Sequence, residues 1–194
     1  MTGEKPGDRG ARPDGASGAA GRVEIDTPAV ADGPELYRIT RDSGVLDVNS
    51  PYAYLLWCRD FASTSLVARS HDGVVGFVTG YVRPDADDTL VVWQIGVDAA
   101  LRGHGVAGRL LERLLDTASR DGIRYLETTI TADNAASINL FAALARDRGA
   151  PLEVSALFPS ELFPDSHVGE DLYRIGPFAT EGAAAPDALA GSVP

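Results

Sequence analysis

Val97-Asp98-Ala99-Ala100-Leu101-Arg102-Gly103-His104-Gly105-Val106-Ala107 stands between two segments of different period. Ahead of it, Thr89 to Val97 is a β-branched run that predicts a strand. Behind it, Gly105 to Arg120 carries Leu110, Leu111, Leu114 and Leu115 at helical spacing and stops at Gly122. Ile123 to Ile130 then reads as a second strand. Strand, helix and strand make a βαβ unit, whose two strands run parallel. The quoted turn sits at its strand-to-helix junction. Gly103 and Gly105 lack a Cβ, so the backbone can turn sharply and a ligand can come close. Free N–H groups and the helix dipole favour an anion there, and Arg102 adds a fork suited to phosphate oxygens. The same residues also read as a Gly-rich connection with a solvated arginine. The turn lacks the Gly-Lys-Ser/Thr of a Walker A loop, and Gly103, Gly105 and Gly108 do not have the dinucleotide-binding spacing.

Upstream, Leu36 to Ile39 alternates and predicts a strand, and residues 40–49 mix a possible short helix with a loop. Ser50-Pro51 predicts a helix start, with Tyr54, Leu55, Trp57, Cys58 and Phe61 available as its buried stripe. Ser65 to Arg69 and Val74 to Val82 read as strands around a His71-Asp72-Gly73 turn, and Arg83 to Asp88 as a polar loop, which together suggest an antiparallel meander. Downstream, Asp133 or Asn134 caps a helix carrying Ile138, Leu140, Phe141 and Leu144 and ending at Gly149. Leu152 to Phe158 and Leu172 to Phe178 read as closing strands. The expectation is an α/β domain with a mixed, mostly antiparallel sheet flanked by helices.

The chain has 194 residues, 44% of them hydrophobic, enough for one domain with a core. Residues 1–34 and 179–194 are rich in Gly, Ala and Pro without apolar periodicity and are expected to be flexible tails around a domain at 35–178. Seventeen Lys and Arg against 28 Asp and Glu give a formal charge of −11. Such a field repels a phosphate backbone, so no nucleic-acid partner is expected, and a cationic small molecule suits it better. One cysteine excludes an internal disulfide, and three scattered histidines argue against a metal site. No secretory signal or apolar run of about 20 residues appears, so the protein is expected to be cytoplasmic, with no membrane partner.

Arg102-Gly103-His104-Gly105-Val106-Ala107 resembles the Q/R-x-x-G-x-G/A motif of GNAT acyltransferases. The preceding long strand and the following Asn134-Ala135-Ala136-Ser137 agree with that resemblance, which spans about 35–178. It implies a GNAT fold with acetyl-CoA as co-substrate. The pyrophosphate would lie on Arg102, Gly103, His104, Gly105, Val106 and Ala107, with His104 giving its backbone N–H and turning its ring to solvent. Asn134 would contact the CoA arm, and backbone N–H groups near Ile95 and Val97 would orient the cofactor and its carbonyl. Such enzymes are often dimers, so a homodimer is expected.

Four further segments carry a narrower resemblance, to the L-2,4-diaminobutyrate acetyltransferases of ectoine biosynthesis, an osmoprotection route. They are Leu46 to Leu55, Val92 to Val97, Phe158 to Pro164 and Asp171 to Pro177. This resemblance implies transfer of acetyl to the γ-amino group of diaminobutyrate. It makes Asp47 and Glu170 the catalytic carboxylates that meet the substrate's ammonium groups, with Glu170 able to take a proton directly or through water. Trp93 would wall the pocket and His167 would approach the substrate. Read without the resemblance, Asp47 is a solvated loop carboxylate, Trp93 a core residue, and His167 and Glu170 parts of a charged loop. Val168-Gly169 stands where acidic residues are expected, and Phe141 where many GNAT enzymes have a proton-donating tyrosine; Tyr125 and Tyr173 are other possible donors. Cys58 lies in an apolar stripe, which disfavours a route through an acylated cysteine. An acetyltransferase for another diamine or amino acid, and a non-catalytic acyl-CoA sensor, are the competing readings.

Overall fold

The computed structural model describes residues 23–164 and 168–178. Seven strands, β1 (Glu24–Asp26), β2 (Leu66–Ser70), β3 (Gly73–Arg83), β4 (Ala86–Val97), β5 (Tyr125–Thr131), β6 (Leu152–Phe158) and β7 (Glu170–Ile175), form one sheet in the order β1-β2-β3-β4-β5-β7-β6. Only β4 and β5 pair in parallel; the other neighbours are antiparallel. This is the mixed, mostly antiparallel sheet that the sequence predicts.

Helices cover both faces. On one face α3 (Val106–Ala118) and α4 (Ala135–Asp147) bury Leu110, Leu111, Leu114, Leu115, Phe141 and Leu144 against Val78, Leu90, Val92, Leu126 and Ile130. On the other, α1 (Gly33–Ser43) and α2 (Pro51–Asp60) place Leu36, Ile39, Tyr54 and Cys58 over Val67, Val74 and Phe77. Each fully buried large side chain contributes about 1.5–3 kcal/mol, so the two clusters fix the sheet between its layers.

Two expectations are corrected. Leu36 to Ile39 is helical, not a strand. Leu36, Ile39 and Thr40 recur at helical spacing and are buried, and four residues are too few to separate that period from alternation. The ordered fold also begins ahead of residue 35. Glu24–Asp26 pairs with Asp26↔Val67 and Glu24↔Arg69, and Asp32 takes two bonds from Arg69, at 2.8 and 2.7 Å. A three-residue edge strand is specified by its partner, not by its own pattern. Residues 179–194, expected to be a tail, lie outside the described residues, as do 1–22. Among the described residues no helix is long and apolar enough to cross a membrane.

Candidate active site

Strands β4 and β5 pair at three positions only, Thr89↔Tyr125, Leu90↔Leu126 and Val91↔Glu127. Both run on past this point, β4 to Val97 and β5 to Thr131, so they diverge and leave a gap at their carboxyl ends. A bulge on β4 begins where they part. Thr79 faces Gln94 but Gly80 faces Val92, which leaves Trp93 as the extra residue. Gly80 is needed opposite the bulge, because a Cβ there would lie 2.6 Å from the Val91 carbonyl oxygen and 3.2 Å from that of Thr64. Beyond the bulge, Asp98 N–H donates to the Val75 carbonyl on β3, at 2.9 Å. Strand alternation then turns the N–H groups of Val97 and Ile95 to the opposite edge, into the gap. The two strand residues expected to orient a thioester therefore present donors on the edge that β5 has left.

The gap leads to the glycine turn. Arg38 of α1 anchors its start with two bonds to Asp98, at 2.8 and 3.0 Å. Gly103 and Gly105 both have positive φ, +78° and +74°, and Gly105 caps α3. The first helical bond runs from Arg109 N–H to the Gly105 carbonyl, so the N–H groups of Val106, Ala107 and Gly108 face outward from the helix end. His104 differs in detail from expectation. Its backbone N–H donates to the Leu101 carbonyl inside the turn, at 3.3 Å, and its Nδ1 is 3.0 Å from the Arg102 carbonyl. Arg102 is exposed and folds back, donating from Nε to the Val97 carbonyl at 3.2 Å. Asn134 caps α4, its Oδ1 accepting from Ser137 N–H at 3.0 Å, which leaves its Nδ2 for any ligand.

The face of the gap toward α2 holds the remaining candidates. The bulge breaks the alternation, so consecutive residues Trp93 and Gln94 both meet α2. Trp93 is 51% exposed and stacks on Trp57, with centroids 5.9 Å apart, and Phe61 and Tyr81 extend this aromatic wall. Gln94 is 8% exposed; it donates to the Asp47 carbonyl at 2.7 Å and accepts from the Tyr54 hydroxyl at 3.4 Å. Asp47 itself is exposed. Across the gap, Glu170 opens β7 opposite Thr131 and accepts a hydrogen bond from Thr129. Extending the Val91↔Glu127 register by two residues brings Trp93 level with Thr129. Trp93 and Glu170 thus flank one gap, and the Asp47 backbone is tied to Gln94 beside it, while His167 lies outside the described residues.

The possible donors Tyr125 and Tyr173 do not join them, and Phe141 has no proton to give. Phe141 and Tyr173 are buried in the core, and Tyr125 lies under the Arg174 guanidinium, 4.1 Å from its ring centroid, at the paired end of β5. Cys58 is buried, and desolvation pushes its thiol up to about 11, which removes it as a nucleophile at neutral pH. The sequence reading missed Gln94, Thr129 and Trp57. Gln94 did carry a signal, since an amide within Val91-Val92-Trp93-Gln94-Ile95 must find buried partners.

Residues 34–145 match the acetyltransferase (GNAT) family. The chain belongs to the GNAT acetyltransferase family. Over 163 residues this GNAT chain is 57% identical to the L-2,4-diaminobutyric acid acetyltransferase of Streptomyces coelicolor, covering 82% of this chain and 96% of that protein. It is 44% identical over 165 residues to the enzyme of the same name from Marinococcus halophilus, covering 84% and 95%. Among solved structures it resembles the diaminobutyrate acetyltransferase EctA of Paenibacillus lautus, in complex with its substrate L-2,4-diaminobutyric acid and coenzyme A. The TM-score is 0.79 at 35% identity, over 82% of this GNAT chain and 97% of that one.

Proposed function

We propose that this GNAT acetyltransferase moves the acetyl group of acetyl-CoA to the γ-amino group of L-2,4-diaminobutyrate, giving N4-acetyl-L-2,4-diaminobutyrate for ectoine biosynthesis and osmoprotection. One observation supports the reading: the gap that presents the Ile95 and Val97 donors is flanked by Trp93 and Glu170, with the Asp47 backbone tied to Gln94 beside it. The outward N–H groups of α3 suit the pyrophosphate. The strand donors suit the pantetheine arm and the thioester carbonyl, whose oxygen gains charge as the amine attacks. Asp47 and Glu170 suit the two ammonium groups of diaminobutyrate, and Trp93 shapes the space between them.

An alkyl amine near pKa 10.4 is neutral in only about one molecule in a few thousand at pH 7. Glu170 takes the excess proton, directly or through water, and the amine attacks the thioester carbonyl. Collapse of the tetrahedral centre breaks the C–S bond and expels CoA as its thiolate, which takes up, directly or through water, the second proton shed by the nitrogen. A thiol near pKa 8.5 leaves without a dedicated acid, and buried Phe141 supplies none. Transfer is direct, because Cys58 is buried and protonated. His167 belongs to the same reading as a substrate-side residue.

A cytoplasmic homodimer with no nucleic-acid partner accompanies this function. The charge of −11 supports the last point. Edge strand β6, with Val154, Leu157 and Phe158 exposed, supports a partner copy. Thiol release from acetyl-CoA, compared for diaminobutyrate, ornithine and lysine, tests the function. Diaminobutyrate should be preferred. Equal or greater turnover of the longer diamines would reassign the substrate, and acetyl-CoA binding without turnover of any amine would leave a sensor.

A further inference from the structure

We infer that Gln94 is a positioning residue, which sets the Asp47 carboxylate at the substrate end of the gap. The inference rests on the reading of Asp47 as a carboxylate that meets an ammonium group. Asp47 sits in an exposed loop between α1 and α2, with Val45 and Val48 also exposed. Leu46 packs against the core beneath α1 and α2, but packing of its neighbour alone does not orient the exposed Asp47. Hydrogen bonds supply the rest of the hold. Ser43 Oγ accepts from the N–H groups of Val45 and Leu46, at 3.2 and 3.1 Å, on the α1 side. Gln94 Nε2 donates to the carbonyl of Asp47 itself, at 2.7 Å. On the α2 side, Asn49 N–H donates to the Tyr54 hydroxyl at 3.4 Å, and that hydroxyl donates to Gln94 Oε1, also at 3.4 Å.

Gln94 and Tyr54 are both buried, so neither amide nor hydroxyl can exchange these partners for bulk water without cost. The chain of bonds therefore ties the 47–48 and 48–49 peptides, on the carboxyl side of the Asp47 side chain, to a buried point on β4, while Ser43 of α1 holds the amino side. The bulge makes this possible. Without the extra residue, Trp93 and Gln94 would face opposite sides of the sheet. With it, the ring that walls the gap and the amide that holds Asp47 share one face.

The test is steady-state kinetics of Gln94→Met, alone and combined with Asp47→Ala, with thermal melting to verify folding. Gln94→Met keeps length and removes both polar atoms. Its KM for diaminobutyrate should rise about tenfold while its KM for acetyl-CoA stays within twofold. In the Asp47→Ala background the same substitution should cost less than twofold, because the carboxylate it positions is gone. Equal losses in both backgrounds, equal shifts for both substrates, or an unchanged diaminobutyrate KM would overturn the role of Gln94. If Asp47→Ala alone leaves diaminobutyrate kinetics unchanged, the Asp47 reading fails as well, which separates the two failures. Should Gln94→Met fail to fold, Tyr54→Phe serves. It removes only the hydroxyl and should raise the diaminobutyrate KM about threefold, and no change would refute the network.

Discussion

Replacing Gly105 with alanine adds one methyl group at a position where the protein offers no obstacle. No atom lies within 4 Å of the added Cβ, apart from its chain neighbours, but φ is +74°. The intrinsic cost is therefore backbone strain alone, about 1–2 kcal/mol for an L-residue in the left-handed region. In a chain of this size that lowers Tm by about 2–8 °C. Gly149, at φ +59° and equally open around its Cβ, lies past the end of α4 and away from the gap. Gly149→Ala should cost a similar amount of stability.

The two variants should part company on acetyl-CoA. At Gly105 the new methyl group stands where the phosphates approach the outward N–H groups of α3. Losing one charge-assisted hydrogen bond costs roughly 1.5–3 kcal/mol, or about ten- to a hundredfold in affinity. Calorimetric titration of acetyl-CoA into each folded variant measures this directly. Gly149→Ala should bind as the parent does, and the branched Gly105→Val should bind more weakly still than Gly105→Ala. A folded Gly105→Val protein with parental affinity would refute the assignment of the turn.

Asp47→Ala and Glu170→Ala should each lower diaminobutyrate turnover about ten- to a hundredfold with acetyl-CoA binding retained; near-normal efficiency in both would remove them from the site. Glu170→Gln should lower kcat at saturating substrate, and raising the pH should partly restore it by deprotonating the free amine; a pH-independent deficit counts against Glu170 as the base. The Arg69 guanidinium bonded to Asp32 holds that carboxyl below its usual range, so this pair's stability is present above the unfolded carboxylate value and lost as pH falls through the lower folded one. Asp32→Asn should then destabilise by about 1–3 kcal/mol at pH 7, with the difference shrinking in melts below about pH 4; a constant difference would place the effect elsewhere. Gly80→Ala drives a Cβ to 2.6 Å from the Val91 carbonyl and should lower stability by about 1–3 kcal/mol, whereas an unshifted melt would show that the bulge tolerates the methyl group.

The βαβ unit and its turn were legible because their signals are local. Four leucines at helical spacing, a β-branched strand and two glycines at the junction need no knowledge of what lies opposite. Helix α1 was not legible from Leu36 to Ile39, since in so short a window Tyr37 and Ile39, two apart, fit alternation while Leu36 and Ile39, three apart, fit a helix. The bulge at Trp93 was hidden for a different reason. One extra residue is defined only against β3, and it decides which way Gln94 points. The Asp47–Gln94 and Thr129–Glu170 bonds join residues 47 and 41 apart in sequence, and only the register of the sheet brings them together. The resemblance supplied Asp47, Trp93 and Glu170 as names; the fold supplies Gln94 and Thr129, the residues to which Asp47 and Glu170 are bonded.

The early parting of β4 from β5 also bears on how the molecule holds itself together. Its backbone ladder is continuous from β1 to β4 and again from β5 to β6, but three rungs join the two leaves. Just there, Glu127 is grasped by Arg83 from one leaf and Arg174 from the other, at 3.0 and 2.9 Å, like a stitch at the bottom of a seam. Above the stitch, a molecule that takes up the strand donors supplies the missing rungs from outside the polypeptide. Its occupancy becomes part of the architecture: at a hundred times its dissociation constant, such a guest adds about 2.7 kcal/mol to the folded state. On the proposed reading, the seam left open for chemistry is also the place where the cell's supply of co-substrate sets how firmly the book is bound.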